Sequence, residues 1–260
     1  MNIISKKELI EKLKEIRRNG WIQNARPGNQ GGVGNTIEDI LGIEENNLPI
    51  PNASEWELKC QRKGSASLTT LFHMEPSPRA IGFVPNILLP KYSWQHNKAG
   101  IKYPESEMSF RQTINASNRT DRGFGVIVNH DERKIIVSFD SNYVDVRHSE
   151  WLKTVEDRIG LRELEPQPYW GFDDLFHRAG TKLPNCFYLQ ADVKRKDGIE
   201  YFCYNNIMML ERFSLSCFIR AIEENAILID FDARTGHNHG TKFRLRKNKI
   251  CDLYDSVTEI

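Results

Sequence analysis

The sequence lacks the marks of membrane, disulfide-rich and zinc-ribbon proteins. No apolar run in its 260 residues approaches the roughly 20 that a membrane-spanning helix needs. The five cysteines are scattered without a C-x-x-C pair, which argues against a zinc ribbon and a disulfide scaffold. The first 20 residues have the charged, amphipathic pattern of a helix rather than that of a signal peptide. We therefore expect a cytoplasmic globular protein with no membrane partner.

Neither sign of charge dominates the chain. It has 36 Lys and Arg against 35 Asp and Glu, and this net charge of +1 gives no global signal for nucleic acid. The distribution is uneven, because residues 242–249, KFRLRKNK, are strongly basic and the following CDLYDSVTEI is acidic. This local density is compatible with phosphate contacts, and a solvated basic strand is the alternative.

The helical patterns are few and short. Residues 5–19 predict a helix that begins with a capping box of Ser5 and Glu8. TIEDILG predicts a second helix, capped by Asn35 or Thr36, with Glu38 in its first turn. LERFSLSCFIRAIEEN predicts a third.

Strand patterns alternate with these helices. LTTLF and AILIDFD predict single strands, and GFGVIVNHDERKIIVSFD and NCFYLQADVKRKDGIEYFCYNNI each predict a hairpin. Residues 76–122 show no convincing periodicity and predict an irregular section. The fold class is therefore mixed α/β (α+β), with a mixed sheet flanked by helices. We expect a single unit over residues 1–260 with two lobes around a cleft.

The segment PNASEWELKC, residues 51–60, combines charged and apolar residues in one predicted strand. Side chains of a strand alternate between its faces, so Glu57 and Lys59 share one face. Trp56, Leu58 and Cys60 share the other. An edge strand with a solvated Glu/Lys pair is the simplest interpretation of this pattern.

The order of residues around this strand resembles the PD-(D/E)-x-K nucleases. An acid on a helix, Glu38, is followed by a proline, Asn52, four intervening residues and then Glu57-x-Lys59. Five blocks in the same order are similar to the MvaI/BcnI family of type II restriction endonucleases, relatives of the mismatch-repair nicking enzyme MutH. These blocks are GNQGGVGNTIEDILG, PNASEWELK, SASLTTLF, YWGFDDL and HNHGTKFRL.

The resemblance implies a catalytic set of Glu38, Asn52, Glu57 and Lys59. Asn52 and Glu57 would be the Mg²⁺ ligands, and Lys59 would orient or activate the attacking water. Asn52 departs from the family, which has an aspartate there, and an amide lacks the negative charge that holds a hard cation. Either the chain is an inactivated form, which we favour, or Glu55 supplies the missing charge.

The resemblance also implies residues that contact DNA. His237, His239 and Arg244 are suited to reading base edges, because His and Arg donate hydrogen bonds to guanine. A zinc pair formed by the two histidines and a polar hairpin turn are the alternatives. The other candidates for DNA contacts are Arg234, Lys242, Arg246, Arg62, Lys63, Ser65 and Ser67. Arg111, Gln112, Arg119 and Arg122 are weaker candidates for the opposite side of the cleft.

The function implied is Mg²⁺-dependent, sequence-specific cleavage of double-stranded DNA at a short G·C-rich site. The chain would act as a monomer that nicks the two strands in turn, beside a cognate DNA methyltransferase in the same host. A catalytic lobe is expected in residues 1–110 and a recognition lobe mainly in 111–260. The alternatives are a nicking endonuclease stimulated by a partner, as in MutH, and a non-catalytic sequence-specific DNA-binding protein.

Overall fold

The computed structural model describes residues 5–29, 31–43 and 55–260. Within these residues the chain forms six α-helices and fourteen strands, which confirms the predicted mixed α/β class. Among them, no helix is both long enough and apolar enough to cross a membrane. Asn52 lies outside the described residues, so its predicted role stays a prediction.

The helices and strands are numbered here along the chain. The helices are α1 (Lys6–Arg18), α2 (Gly32–Leu41), α3 (Leu89–Tyr92), α4 (Ser149–Ile159), α5 (Phe172–Lys182) and α6 (Leu215–Glu223). The strands are β1 (Trp21–Gln23), β2 (Trp56–Arg62), β3 (Thr69–His73), β4 (Trp94–Gln95), β5 (Met108–Ile114), β6 (Arg122–Asn129), β7 (Lys134–Val144), β8 (Tyr169–Gly171), β9 (Asn185–Lys196), β10 (Ile199–Phe213), β11 (Ile227–Arg234), β12 (His237–Asn238), β13 (Lys242–Leu245) and β14 (Tyr254–Glu259).

The described residues divide into two compact units by their internal contacts. Unit 1 comprises the residues up to Thr69, together with Phe176–Cys217 and Arg246–Ile260. Unit 2 comprises Thr70–Leu175 and Phe218–Leu245. Each unit is therefore assembled from stretches that are separated in sequence. The predicted functional division at residue 110 stays a prediction.

Unit 1 contains a five-stranded mixed sheet in the order β1-β10-β9-β2, with β14 also paired to β10. The β9–β10 pair is the predicted hairpin, antiparallel with its turn after Lys196. Strand β2 lies at the end of this order and pairs in parallel with β9, with Glu57 opposite Cys186 and Lys59 opposite Tyr188. Parallel pairing requires a long connection between the two strands.

Helix α1 forms as its capping pattern predicts. The Ser5 side chain accepts a hydrogen bond of 3.3 Å from the Glu8 backbone N–H. Leu9, Leu13 and Ile16 are buried in one apolar cluster with residues of the unit 1 sheet. Burying each of these side chains contributes about 2 kcal/mol before entropy costs, so packing stabilises the helix more than its cap does.

Helix α2 begins earlier than the sequence predicts. Its first residue is Gly32 and its N-cap is Gly31, so Asn35 and Thr36 lie inside the helix rather than at its cap. The prediction that places Glu38 in the first turn is wrong for the same reason. The Thr36 hydroxyl donates to the Gly32 carbonyl at 2.7 Å. This hydroxyl, which was expected to cap the helix, is therefore bonded to the backbone inside it.

Unit 2 contains two sheets. One has the order β3-β13-β11-β5-β4, with β12 paired to β11, and the other has the order β6-β7-β8. The predicted hairpin in GFGVIVNHDERKIIVSFD is confirmed as the antiparallel β6–β7 pair. The core of this unit is strongly aromatic, and Phe110 packs edge-on against both Phe124 and Phe231.

Two further predictions of secondary structure are wrong. The section 76–122 contains β5, a central strand whose Phe110 and Ile114 are fully buried. The helix predicted to begin at LERF begins at Leu215, because residues 210–213 continue β10, where they pair with β9 and β14. In both places pairing with neighbouring strands outweighs the local pattern.

Candidate active site

Strand β2 separates apolar from charged side chains as its alternation predicts. Trp56 and Leu58 belong to the buried cluster with α1 and α2, and Cys60 packs against that cluster. Glu57 and Lys59 lie on the opposite face. Glu57 is nevertheless only 2% exposed, so the pair is not a solvated one on an edge strand.

Two lysines hold the Glu57 carboxylate. Lys59 Nζ lies 2.7 Å from Oε1, and Lys182 Nζ lies 3.0 Å from Oε2. The lysine side chains are only 15% and 16% exposed, so the whole group is largely removed from water. A buried carboxylate needs such compensation, because an isolated charge in a low-dielectric interior is costly.

Lys182 is a functional candidate that the sequence analysis missed. It is the last residue of α5, where a positive charge is favoured by the helix dipole. No short-range pattern relates it to the Glu57-x-Lys59 motif. Lys182 lies close to Glu57 because β2 pairs in parallel with β9, and β9 begins three residues after Lys182.

Two other groups near Glu57, the Cys186 thiol and the Tyr254 phenol, are uncharged at neutral pH. Burial, followed by the Glu57 carboxylate, raises the pKa of the Cys186 thiol. Burial and the neighbouring Cys186 and Glu57 raise the pKa of the Tyr254 phenol in the same direction. Both groups therefore stay protonated next to the Glu57 carboxylate.

Glu38 lies on α2, which packs against the apolar face of β2. A Cβ on Gly34 would lie 4.0 Å from the Cys60 Cβ, which shows how closely the helix and the strand approach. Burial raises the pKa of the Cys60 thiol, the Glu38 carboxylate raises it further, and Lys59 acts in the opposite direction. Glu38 and Lys59 thus lie within electrostatic range of the same residue. Their catalytic roles stay predictions.

The described residues offer no complete set of metal ligands around Glu57. Glu55 is exposed and precedes the first residue of β2. In residues 5–29, 31–43 and 55–260, no three His, Cys, Asp or Glu side chains are grouped so that they could hold a metal ion. A predicted metal site therefore depends on Asn52, outside these ranges.

Two of the DNA-contact candidates at the end of β2 and in the turn after it are paired with acids of unit 1. Arg62 pairs with Glu200 at 3.0 Å, and Lys63 lies 3.5 Å from Asp192. The Ser65 hydroxyl accepts a hydrogen bond of 3.1 Å from the Ser67 backbone N–H, which fixes the turn. These side chains have defined positions, and their contact with DNA stays a prediction.

A second charged surface lies on one face of β11 in unit 2. Asp232 contacts Arg111 at 2.7 Å and Lys242 at 3.1 Å, and Asp230 contacts Arg244 at 3.2 Å. Burial opposes ionisation of Asp232, but the hydrogen bond from Lys242 and the charges of Lys242 and Arg111 outweigh it and lower its pKa. The ionised Asp232 carboxylate therefore holds Arg111 and Lys242 in place.

The two candidate histidines lie next to each other at this surface. The rings of His237 and His239 are exposed, with centroids 4.2 Å apart and nearly perpendicular planes. Partial burial lowers the pKa of His239, although Asp232 acts in the opposite direction. His239 is therefore neutral at pH 7 and has one donor and one acceptor nitrogen. Within the described ranges, the two histidines are not part of a group of three His, Cys, Asp or Glu side chains that could hold a metal ion.

The remaining candidates differ in their surroundings. Arg234 pairs with Glu107 at 3.0 Å and stacks over the Tyr103 ring. Arg246 is exposed directly after β13. Contact of either residue with DNA stays a prediction.

Glu75 holds the segment that carries the histidines. Its Oε1 accepts hydrogen bonds from the Thr241 backbone N–H at 2.8 Å and from Asn238 at 3.4 Å, and its Oε2 accepts from the Thr241 hydroxyl at 3.1 Å. Gly240 in this segment has a φ of +82°, which a side chain would strain. One carboxylate thus fixes residues 238–241, a role that the sequence analysis did not predict.

Comparisons with known proteins cover nearly the whole chain. A solved complex of the restriction endonuclease MvaI with its cognate DNA substrate is 23% identical, with a TM-score of 0.76 over 98% of both chains. MvaI in the absence of DNA is also 23% identical, with a TM-score of 0.56 over the full length of both. These likenesses confirm the predicted restriction-endonuclease fold. Among curated proteins no match is found.

A family model gives the decisive comparison. The model of the MvaI/BcnI restriction endonuclease family matches residues 10–254, which include both charged surfaces. The predicted resemblance is confirmed, because the match extends far beyond the Glu57-x-Lys59 motif. The chain belongs to the MvaI/BcnI restriction endonuclease family.

Proposed function

We propose that the chain is a type II restriction endonuclease whose catalytic site is built on Glu57 and Lys59. The observation that carries this proposal is the 2.7 Å contact between these residues, with Glu57 only 2% exposed. Burying a carboxylate costs free energy that its ion pairs need not recover. The stability of the fold therefore does not by itself explain this arrangement. The MvaI complex with cognate DNA supports double-stranded DNA as the substrate.

The donor chemistry fits Mg²⁺ as the cofactor. Burial and neighbouring carboxylates raise the pKa values of Cys60 and Cys186, so neither is available as a thiolate ligand for a softer metal. The Glu57 carboxylate and the Asn52 amide offer the hard oxygen atoms that Mg²⁺ prefers. Bound there, the ion would stabilise negative charge on the phosphate and acidify a water molecule.

The chain's own residues have the following proposed roles. Lys59 orients the water that attacks phosphorus in line, and the 3′ oxygen leaves. Glu57 holds the Lys59 ammonium in place through their contact. Glu38 adds a negative charge from α2. Asn52 in place of an aspartate weakens this machinery, and we propose that this form of the chain is inactivated.

Recognition is proposed to rest on the second charged surface. His237, His239 and Arg244 read base edges, and Arg234, Lys242 and Arg246 contact phosphates. Arg62, Lys63, Ser65 and Ser67 make further backbone contacts. The target is a short G·C-rich site, which one chain nicks strand by strand in the cytoplasm, protected by a cognate methyltransferase.

A non-catalytic, sequence-specific DNA-binding protein is the second candidate function. The neutral amide of Asn52 favours it, because a missing carboxylate weakens metal binding and leaves the recognition residues intact. The two candidates share DNA recognition and differ only in cleavage.

Selection from a pool of random duplexes tests the shared part of both candidates. We expect the unchanged protein to enrich one short G·C-rich sequence, both in EDTA and in Mg²⁺. Replacing both His237 and His239 by alanine is expected to abolish the preference while binding that weakens with salt remains, because phosphate contacts carry no sequence information. A His130→Ala variant, in the turn between β6 and β7, is the matched control, because it removes an exposed imidazole outside residues 237–239. Recovery of unselected sequences by the unchanged protein contradicts the proposal.

Glu75→Ala is expected to weaken binding to the selected duplex by about tenfold, because three hydrogen bonds that fix residues 238–241 are lost. The direction of the change in affinity distinguishes a positioning role of Glu75 from a purely electrostatic one. Loss of a negative charge by itself strengthens attraction to DNA, so a weakening reports the loss of positioning. Fluorescence anisotropy in EDTA measures the affinity.

Glu132→Ala is the control for this variant. Glu132 carries the same charge in the β6–β7 turn and pairs with Lys134 at 2.7 Å. Its removal is expected to leave the affinity equal or slightly tighter. Equal effects of the two variants would mean that Glu75 does not position the recognition segment.

A further inference from the structure

We propose that Lys182 is a further positioning residue of the site, and that it competes with a divalent cation for Glu57. This inference rests on the proposed function, because it concerns the metal of that reaction. Lys182 Nζ lies 3.0 Å from Glu57 Oε2, while Lys59 holds Oε1. Both oxygens of the carboxylate are thus already in contact with a positive charge.

The position of Lys182 is well supported by its surroundings. It ends α5, and the next residue, Leu183, is fully buried. The Leu183 backbone N–H donates to the Ala179 carbonyl at 2.6 Å, which anchors the chain as it leaves the helix. The ammonium is therefore delivered by an ordered segment, at an exposure of only 16%. Its contact with Glu57 is therefore fixed by the fold, unlike an exposed ion pair between flexible side chains.

Charge explains why this contact opposes metal binding. Glu57 contributes one negative charge, Lys59 and Lys182 contribute two positive charges, and Asn52 contributes none. A divalent cation that approaches the Glu57 carboxylate therefore meets two ammonium groups that are already in contact with it. At low exposure this repulsion is only weakly screened by solvent.

The competition falls on Lys182 rather than on Lys59. Under the proposed function Lys59 stays at the site to orient water, so Oε1 remains engaged. Oε2 becomes a ligand only after Lys182 releases it. Lys182 thus keeps the buried carboxylate compensated when no ion is bound, and it sets the ion concentration at which the site fills.

Titration with Mn²⁺, followed by the electron paramagnetic resonance signal of the free ion, tests this inference without any cleavage assay. The full chain carrying Asn52→Asp is the parent, since it restores the predicted ligand. Adding Lys182→Met is expected to lower the apparent Kd for Mn²⁺ by about tenfold, because one partly buried positive charge is removed. Lys182→Arg keeps the charge and is expected to bind as the parent does.

Two controls make the result specific. Lys182→Gln keeps a hydrogen-bond donor without the charge and is expected to tighten Mn²⁺ binding as well, so the test stands even if the methionine variant does not fold. Lys14→Met removes the same charge from an exposed pair on α1 and is expected to change nothing.

The outcomes separate the two proposals. Equal or weaker Mn²⁺ affinity in both Lys182→Met and Lys182→Gln, relative to the parent, overturns the competition by Lys182. Tighter Mn²⁺ binding combined with intact plasmid DNA supports the competition and overturns the proposed nuclease function. Absence of Mn²⁺ binding in all variants overturns both.

Discussion

Asn52→Asp is expected to raise Mg²⁺-dependent cleavage of double-stranded DNA by about 100-fold or more. The added carboxylate restores the negative charge that the family has five residues before Glu57, whose own carboxylate is in contact with two positive charges. Metal assistance contributes several kcal/mol to such reactions, and each 1.36 kcal/mol is tenfold in rate. Plasmid DNA incubated with the variant and Mg²⁺, then separated on a gel, measures the change.

The pattern of products distinguishes the candidate functions. Discrete fragments support a restriction endonuclease, nicks that depend on host extract support a partner-stimulated enzyme, and intact plasmid supports a DNA-binding protein. Asn52→Ala removes the amide oxygen without adding charge and is expected to leave cleavage at background. Adding Lys59→Met to Asn52→Asp is expected to remove the gain. Cleavage by Asn52→Asp no faster than by the unchanged chain counts against an inactivated nuclease.

Glu57→Ala is expected to lower the free energy of unfolding by about 3 kcal/mol, because two largely buried ammonium groups lose their counter-charge. Urea denaturation at neutral pH, followed by circular dichroism, measures the loss. Adding Lys182→Met to this variant is expected to recover part of it, since one uncompensated charge is then absent.

Glu211→Ala is the matched control for this stability measurement. Glu211 also pairs with a lysine at 2.7 Å in unit 1, but Lys6 is 45% exposed, so the expected loss is below about 1 kcal/mol. If Glu57→Ala lowers the free energy of unfolding no more than Glu211→Ala does, the ion pairs of Glu57 contribute no more to stability than an exposed pair.

The sequence predicts those parts of the fold that depend on local patterns. Strand alternation correctly separates Glu57 from Trp56, and the capping box correctly locates the start of α1. Local sequence patterns do not predict contacts between residues that are distant in the chain. The burial of Glu57 and the contact with Lys182 depend on the pairing of β2 with β9, which no local pattern encodes.

The errors have the same physical origin. A glycine-rich segment is a poor helix former, yet α2 begins at Gly32, because packing against β2 outweighs intrinsic propensity. Strand β5 lies in a section without clear periodicity and is fixed by neighbours on both sides, β11 and β4. The catalytic set follows from the resemblance to the family, because local patterns alone left it open. The roles of its residues stay predictions.

The interleaved composition of unit 1 has a consequence for biosynthesis. Within the described strands, β2 pairs only with β9, and most of unit 2 is encoded between them. On the ribosome, the strand with Glu57 and Lys59 emerges well before its partner and before Lys182. A nascent chain that stops short of Lys182 therefore has neither the strand that pairs with β2 nor a complete charge cluster. Nuclease competence, if restored, can arise only after most of translation is finished.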